Sequence, residues 1–495
     1  MRRSRIVGLV ALAAAGALAL RRFAPRPWAD LPTPGPISVH GRRHRTAAVA
    51  RLGTQTGGSY AVHRARRVFA SAERRESLDA GFEMKTAAQI TETLGNMKGA
   101  MMKLGQMASY LDQGMPEHVR SALAELQSNA PPMSPELAAG VIVDQLGAPP
   151  EELFAEWDPH PIASASIGQV HRAITRDGRA VAVKVQYPGV SEAIRADLDN
   201  TDLVMSAFKM MFPGLDPAPM VREIKERLSE ELDYRLEADH QQMFAEEYRA
   251  HPTITVPDVV RELSAEKVLT TDLAEGVPFA EMERWTQEER NLAAETIFRF
   301  VFHGLYRMLA FNGDPHPGNY LFLSGGRVTF LDFGLVKRFT HTEMDQFGEM
   351  VKAMVLDHDI AAYRTLVEDY GIIEPGLGVS DAQILAYFRH FYEFLMTDEV
   401  STIDAAFASE MVRRFFDPSG PHGDIMRAAN VPAEFVVIQR INLGLFALLG
   451  QLDATANWRA IAEEIWPFVD GPPSTKMGEA EAAWRQEHPH VQIHS

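Results

Sequence analysis

Asp314 and Asn319 lie five residues apart in the segment Asp314-Pro315-His316-Pro317-Gly318-Asn319, and Asp332-Phe333-Gly334 follows thirteen residues after Asn319, closing the apolar run Val328 to Leu331. A carboxylate, a side-chain amide and a second carboxylate at this spacing suit phosphoryl transfer, which needs a group beside the attacking oxygen and oxygen ligands for a Mg²⁺ ion on the phosphates. Asp314 is the candidate base or positioning group; Asn319 and Asp332 are the candidate metal ligands. An isolated Asp-Phe-Gly after a strand reads equally well as a turn. Its pairing with Asp314 and Asn319 is what points to catalysis. His316, between two prolines, reads as a residue that orders the loop, and His303, on a helical face, reads as structural.

Upstream, a lysine leaves an apolar strand at Val181-Ala182-Val183-Lys184. A buried strand rarely tolerates such a charge without a partner. The acidic run Glu230-Glu231-Leu232-Asp233-Tyr234-Arg235-Leu236-Glu237 offers one, with Asp233 and Glu237 four residues apart on one helical face. Taken alone, the run is also compatible with a solvated surface.

The rest of the composition narrows the chemistry. Among 495 residues there is no cysteine, which excludes disulfides, thiolate metal sites and cysteine nucleophiles. The formal charge is −17, yet residues 1 to 75 hold fifteen Arg against only Asp30 and Glu73, a local +13 that leaves −30 on residues 76 to 495. An acidic body repels polyanions, so nucleic acid is not an expected partner, whereas a basic head suits an anionic lipid surface.

The elements that must position these groups follow from periodicity. Ile6 to Leu20 is an uncharged apolar run of fifteen residues flanked by arginines, about 22 Å long as a helix against a hydrocarbon thickness of roughly 30 Å. It is expected to anchor the chain to a membrane, either as a tilted span or at the interface. Ala17-Leu18-Ala19 also suits a cleavable secretory signal; the need for cytoplasmic ATP argues against that. Residues 24 to 79 read as a basic Pro/Gly/Arg-rich linker. Leu94, Met97, Met101, Leu104 and Ala108 recur at helical intervals. Ile174 and Val181 flank the turn Thr175-Arg176-Asp177-Gly178, a hairpin signal. Long amphipathic helices are expected at about 219 to 250, over most of 287 to 311 and over most of 341 to 470. From Gly471 onward little periodicity remains, and a flexible tail over 471 to 495 is expected.

These residues resemble the UbiB-type atypical kinase-like family over about residues 85 to 465. Lys103-Leu104-Gly105-Gln106 matches its K-x-G-Q motif, and Leu126-Gln127 with Ala130-Pro131-Pro132 is similar as well. Ala163-Ser164-Ala165-Ser166-Ile167-Gly168-Gln169-Val170 stands where the family has an alanine-rich loop instead of a glycine-rich one. The resemblance implies an α+β, bilobal protein-kinase-like fold. A helical N-terminal extension would cover residues 80 to 160, an N-lobe 161 to 276 and a largely α-helical C-lobe 277 to 470. It further implies ATP and Mg²⁺ as cofactors, with residues 163 to 170, Lys184 and Asp272 of the hinge segment Lys267 to Gly276 on the nucleotide. Glu237 takes the place of the helix glutamate that pairs with Lys184. The E-x-D motif maps onto Glu231-Leu232-Asp233, which would engage Lys103 and, with Gln106, gate the site.

There is no G-x-G-x-x-G, no Arg directly before Asp314 and no Ala-Pro-Glu after Asp332, so a platform for peptide substrates is not expected. The implied activity is an ATPase or small-molecule kinase in isoprenoid-quinone or related lipid metabolism, on the cytoplasmic side of a membrane, with membrane lipids and enzymes of that metabolism as partners. A nucleotide-binding scaffold without turnover is the alternative, and a protein kinase a further one.

Overall fold

The computed structural model describes residues 133–488, less 166, 192–229, 231, 314–315, 377, 417–424 and 426–432. The expected anchor, linker and K-x-G-Q segment, and with them Lys103, Gln106, Ser166, Glu231 and Asp314, lie outside the described residues. Among those described, no helix is long and apolar enough to cross a membrane.

Helix α1 (Pro135–Leu146) begins where Ser134 accepts the Leu137 N–H and Pro135 occupies the first turn, and it stops at Gly147, which adopts φ +82°. Three antiparallel strands follow, β1 (Phe154–Ser164), β2 (Gly168–Thr175) and β3 (Ala180–Gln186). After α2 (Tyr234–Glu247) and the short β4 (Ile254–Thr255), β5 (Val268–Asp272) completes a sheet of order β1-β2-β3-β5. Alternation in β3 puts Val181, Val183 and Val185 on one face. There they join Met133, Ala138, Val141, Ile142, Phe154, Ala173 and Val268 in the core of an N-lobe. Met133, Ala138, Val141, Ile142 and Phe154, expected in a helical extension, therefore share this core with the sheet.

The chain crosses to the second lobe at Gly276. A side chain there would bring its Cβ to 2.9 Å from Leu321 Cβ and 3.0 Å from the Phe322 carbonyl, at a φ of +137°, a combination only glycine accepts. The second sheet runs β4-β9-β8-β6, formed with β6 (Val277–Pro278), β8 (Tyr320–Leu323) and β9 (Arg327–Phe330), while β7 (Ala310–Asn312) pairs with β10 (Val336–Arg338). Around the long α3 (Gln287–Met308) pack α4 (His341–Val351), α5 (Ile360–Asp369), α6 (Asp381–Phe388), α7 (Ala405–Phe416), α8 (Ala433–Gln451) and α9 (Trp458–Ile465), with β11 (Ser401–Ile403) and β12 (Ala454–Ala456) as a small ribbon. Among the described residues each lobe has its own core, which makes the fold bilobal, and the C-lobe is mostly helical.

The flexible tail expected from Gly471 is corrected by α10 (Lys476–Glu487), capped by Thr475 and buried along Met477, Glu481 and Trp484. Trp484 donates to the Arg249 carbonyl at 3.0 Å and meets the His251 ring at 4.6 Å. Periodicity missed this helix because the middle residue of its buried stripe is a glutamate, which Arg299 and His303 on α3 and Arg485 on α10 itself make tolerable.

His251 carries a testable consequence. Its buried Nδ1 accepts the Thr253 and Ile254 N–H groups at 3.2 and 3.0 Å, and burial, with the Arg299 charge adding to it, pushes its pKa down from 6.5 to about 3. Unfolded, the ring takes up a proton near its ordinary value while the folded ring stays neutral. This contribution to stability is therefore complete above pH 6.5 and is lost as pH falls from 6.5 toward 3. His251→Asn, whose oxygen can accept the same N–H groups without titrating, should flatten the acid limb of the unfolding free energy by about 1.4 kcal/mol per pH unit. Denaturant titrations between pH 8 and 5 measure it; parallel curves for the two proteins would contradict it.

Candidate active site

The register of β2, β3 and β5 sorts the loop and strand residues onto two faces. Val170 pairs with Lys184 and Gly168 with Gln186, whereas Gln169 pairs with Val185 and His171 with Val183. Paired residues point to the same side of a sheet. Gly168, Val170, Ala182 and Lys184 thus share the face toward α2, with Leu269 and Thr271 beside them across β3 and β5.

Gln169, expected on the nucleotide, is corrected by this register. It is fully buried on the back face, where its oxygen accepts the Met133 N–H at 2.9 Å and its amide stands 2.9 Å from His171 Nε2. His171 Nδ1 is 2.9 Å from the Asp158 carbonyl, which can only accept, so this nitrogen carries the proton and Nε2 accepts from Gln169. Burial pushes the His171 pKa down, consistent with a neutral ring. Gln169 therefore ties the loop to the start of α1.

The loop itself is a tight turn between β1 and β2, in which the Ala165 N–H donates to the Gly168 carbonyl at 2.9 Å. Ala163 and Ser164 pair with Val170 and Gln169 across it, and Ile167 is buried. A Cβ on Gly168 would stand 2.4 Å from the Val185 carbonyl and 2.9 Å from the Tyr234 hydroxyl. Glycine there is what lets α2 approach the turn.

Lys184 is the centre of the site. Its Nζ donates to both oxygens of Glu237, at 2.8 and 2.9 Å, and lies 3.5 Å from Asp332 Oδ2 and 5.0 Å from the centre of the Tyr234 ring. Glu237 is only 5% exposed and Lys184 17%, so neither charge would be stable there alone. Burial by itself would lower the Lys184 pKa; Asp332 and then Glu237 more than offset it, and the ammonium titrates well above the ordinary lysine value.

Asp332 is held in turn, its Oδ1 accepting the Gly334 N–H at 2.9 Å. The Leu331 N–H donates to the Asn319 carbonyl at 3.0 Å, which brings the second expected metal ligand alongside the first. His316, as expected, orders its loop by accepting the Gly318 N–H at 3.0 Å.

Two further expectations change. Asp233 does not share a helical face with Glu237: it is the N-cap of α2, accepting the Arg235 N–H at 3.0 Å and pairing with the Arg235 guanidinium at 2.9 Å. Its carboxylate thereby starts the helix that carries Glu237. Asp272 ends β5, where its carboxylate takes the guanidinium of Arg179 with Nη2 at 2.8 Å, so its side chain fixes the hinge to the β2–β3 turn.

Two residues not singled out from the sequence also hold the Asp332 segment. Asn312 Nδ2 donates to the Asp332 carbonyl at 2.6 Å, and His240 Nδ1 lies 3.3 Å from the Phe333 carbonyl. Their spacing was the available signal: Asn312 stands two residues before Asp314, and His240 three after Glu237.

A lysine bridged to a helix carboxylate and facing an Asp-Phe-Gly aspartate, between a five-residue hinge strand and a helical lobe, is a protein-kinase-like arrangement. A family model for the ABC1 atypical kinase-like domain matches residues 125–366. The solved structure of Rv3197 with erythromycin, from Mycobacterium tuberculosis, is 35% identical, has a TM-score of 0.59, and is matched over 100% of its own chain and 80% of this one. The chain belongs to the UbiB-type atypical kinase-like family.

Curated relatives of this atypical kinase-like chain agree. The mitochondrial atypical kinase COQ8B of Rattus norvegicus is 33% identical over 269 residues, 54% of this chain and 51% of the relative. The mitochondrial atypical kinase COQ8 of Saccharomyces cerevisiae is 26% identical over 396 residues, 77% of this chain and 76% of the relative. The match thus spans about half the length of the rat protein.

The donor chemistry fits a hard cation. Asp332 and Asn319 offer oxygen ligands, and a Mg²⁺ ion is ordinarily bound through one or two protein oxygens with phosphate and water completing the shell. Among the described residues no group of three His, Asp or Glu side chains is placed to hold a metal.

Proposed function

We propose that this UbiB-type chain binds Mg²⁺·ATP between its lobes and transfers the terminal phosphoryl group to water or to a small-molecule acceptor, in support of isoprenoid-quinone or related lipid metabolism at a membrane. The single observation that supports it most is the contact of Lys184 with both Glu237 oxygens and its approach to Asp332 at 3.5 Å.

Each residue has a role in this reading. Lys184, held ionised by Glu237, offsets charge on the nucleotide phosphates, and the turn at Ala163 to Gly168 covers them with backbone N–H groups. Asp332 and Asn319 would hold Mg²⁺, whose chemistry when bound is to neutralise phosphate oxygens. Asp314 orients the attacking hydroxyl or water and receives its proton as the new oxygen–phosphorus bond forms and the bond to ADP breaks. Lys103, with Gln106, Glu231 and Asp233, would gate the acceptor side. Residues 6 to 20 would anchor the chain with its catalytic lobes on the cytoplasmic side.

The test is nucleotide affinity in Asp332→Asn, which keeps the shape and removes the charge. The expected loss is at least about tenfold, or 1.4 kcal/mol, by calorimetry or thermal shift. Unchanged affinity would sink the reading. Tight Mg²⁺-dependent binding with no ATP turnover in the presence of lipid vesicles would favour a scaffold instead.

A further inference from the structure

Helix α2 reaches the site twice. Glu237 meets Lys184, and one turn later His240 faces the Asp-Phe-Gly backbone, because residues three apart share a helical face. A carbonyl oxygen can only accept a hydrogen bond, so His240 Nδ1, 3.3 Å from the Phe333 oxygen, must carry the proton and donate. From the opposite side, Asn312 on β7 donates to the preceding carbonyl, that of Asp332, at 2.6 Å. Two consecutive peptide groups are therefore fixed by side chains from two separate elements.

The packing of Phe333 does not achieve the same thing. Its ring is fully buried between Phe244, 5.0 Å away, and Phe300, 6.5 Å away. Contacts of this kind are non-directional. They hold the ring while leaving the peptide plane to rotate, and the Asp332 carboxylate would swing with it. A directional hydrogen bond to the carbonyl removes that freedom.

We propose that His240 is a positioning residue: its hydrogen bond to the Phe333 carbonyl sets the Phe333–Gly334 peptide, whose N–H holds Asp332 Oδ1 at 2.9 Å, and so places the metal-binding carboxylate in register with Lys184. This rests on the Mg²⁺-nucleotide reading above and adds to it that one helix sets both the phosphate-binding cation and the metal ligand. Displacement of α2 would release the two together.

The experiment uses the full chain and measures ATP binding by calorimetry across a Mg²⁺ titration and again in EDTA. Three variants are compared, His240→Ala, His240→Asn and His240→Gln, with melting curves to confirm that each is folded. The Asn amide nitrogen is bonded to Cγ as Nδ1 is, whereas the Gln amide sits one carbon farther out.

The expected result for His240→Ala is a rise of at least about tenfold in the Mg²⁺ concentration for half-saturation, the scale on which groups supporting metal ligands act. Metal-free ATP affinity should hold, His240→Asn should restore the wild-type midpoint, and His240→Gln should not. A wild-type Mg²⁺ midpoint in His240→Ala would overturn the proposal, as would equal behaviour of all three variants, which would make His240 packing only. Absence of Mg²⁺-dependent ATP binding in the unsubstituted chain would instead remove the nucleotide reading, and the proposal with it.

Discussion

Lys184→Ala is expected to lower ATP turnover by about 10²–10³-fold, the loss typical of removing one preorganised group that stabilises transition-state charge. The variant takes away the ammonium that donates to both Glu237 oxygens and stands 3.5 Å from Asp332. Nucleotide affinity should fall as well, by less than turnover, since the charge to be offset grows as the phosphoryl group leaves. Glu237→Gln should be intermediate, because an amide oxygen still accepts from Lys184 but no longer favours its ionised form. Steady-state hydrolysis of ATP by the three proteins on lipid vesicles is the measurement. Turnover within a few-fold of wild type in Lys184→Ala would mean that this cluster holds the lobes together without taking part in the reaction.

The largest expected loss of stability lies away from the site, in Arg299→Leu. Arg299 is 1% exposed at the centre of α3 and serves three carboxylates at once. It contacts Glu295 at 2.8 Å, Glu464 of α9, and Glu481 of α10 at 3.3 Å, and its Nη2 also donates to Thr475 Oγ1 at 2.7 Å. Leucine would fill much of the volume and leave three nearly buried carboxyl groups without this cation.

Breaking a buried ion pair from one side costs about 3–5 kcal/mol, which for a domain of this size lowers the melting temperature by on the order of 10 °C. Arg299→Lys should recover little, because one ammonium cannot reach three partners in a planar fork. Differential scanning calorimetry decides it: a melting temperature within a degree or two of wild type would show that the C-terminal helix docks without the network.

Asp314, Asn319 and Asp332 at their spacing, with Lys184 in a hydrophobic strand, point to phosphoryl transfer from the sequence alone, and the structure brings Lys184 to 3.5 Å from Asp332. The hairpin was legible from Gly178, which takes φ +88°. The C-lobe helices were legible from their apolar periods, since both signals are local.

What sequence did not determine is which way side chains face once strands and helices meet. Gln169 falls within a loop that reads as nucleotide-binding, yet a period of two along β2 turns it to the back. Asp233 looks like the helical neighbour of Glu237, yet the chain enters the helix at Tyr234 and makes Asp233 its cap. Residues 476 to 487 carry a glutamate where a buried helix should be apolar, and Arg299 and His303, more than 170 positions earlier, join Arg485 of the same helix in making its burial tolerable. His240 and Asn312 gain meaning solely from the carbonyls they meet. For Gln169, Glu481, His240 and Asn312 a group distant in sequence supplies the partner that makes the local choice stable, and the tertiary structure alone brings that group within reach.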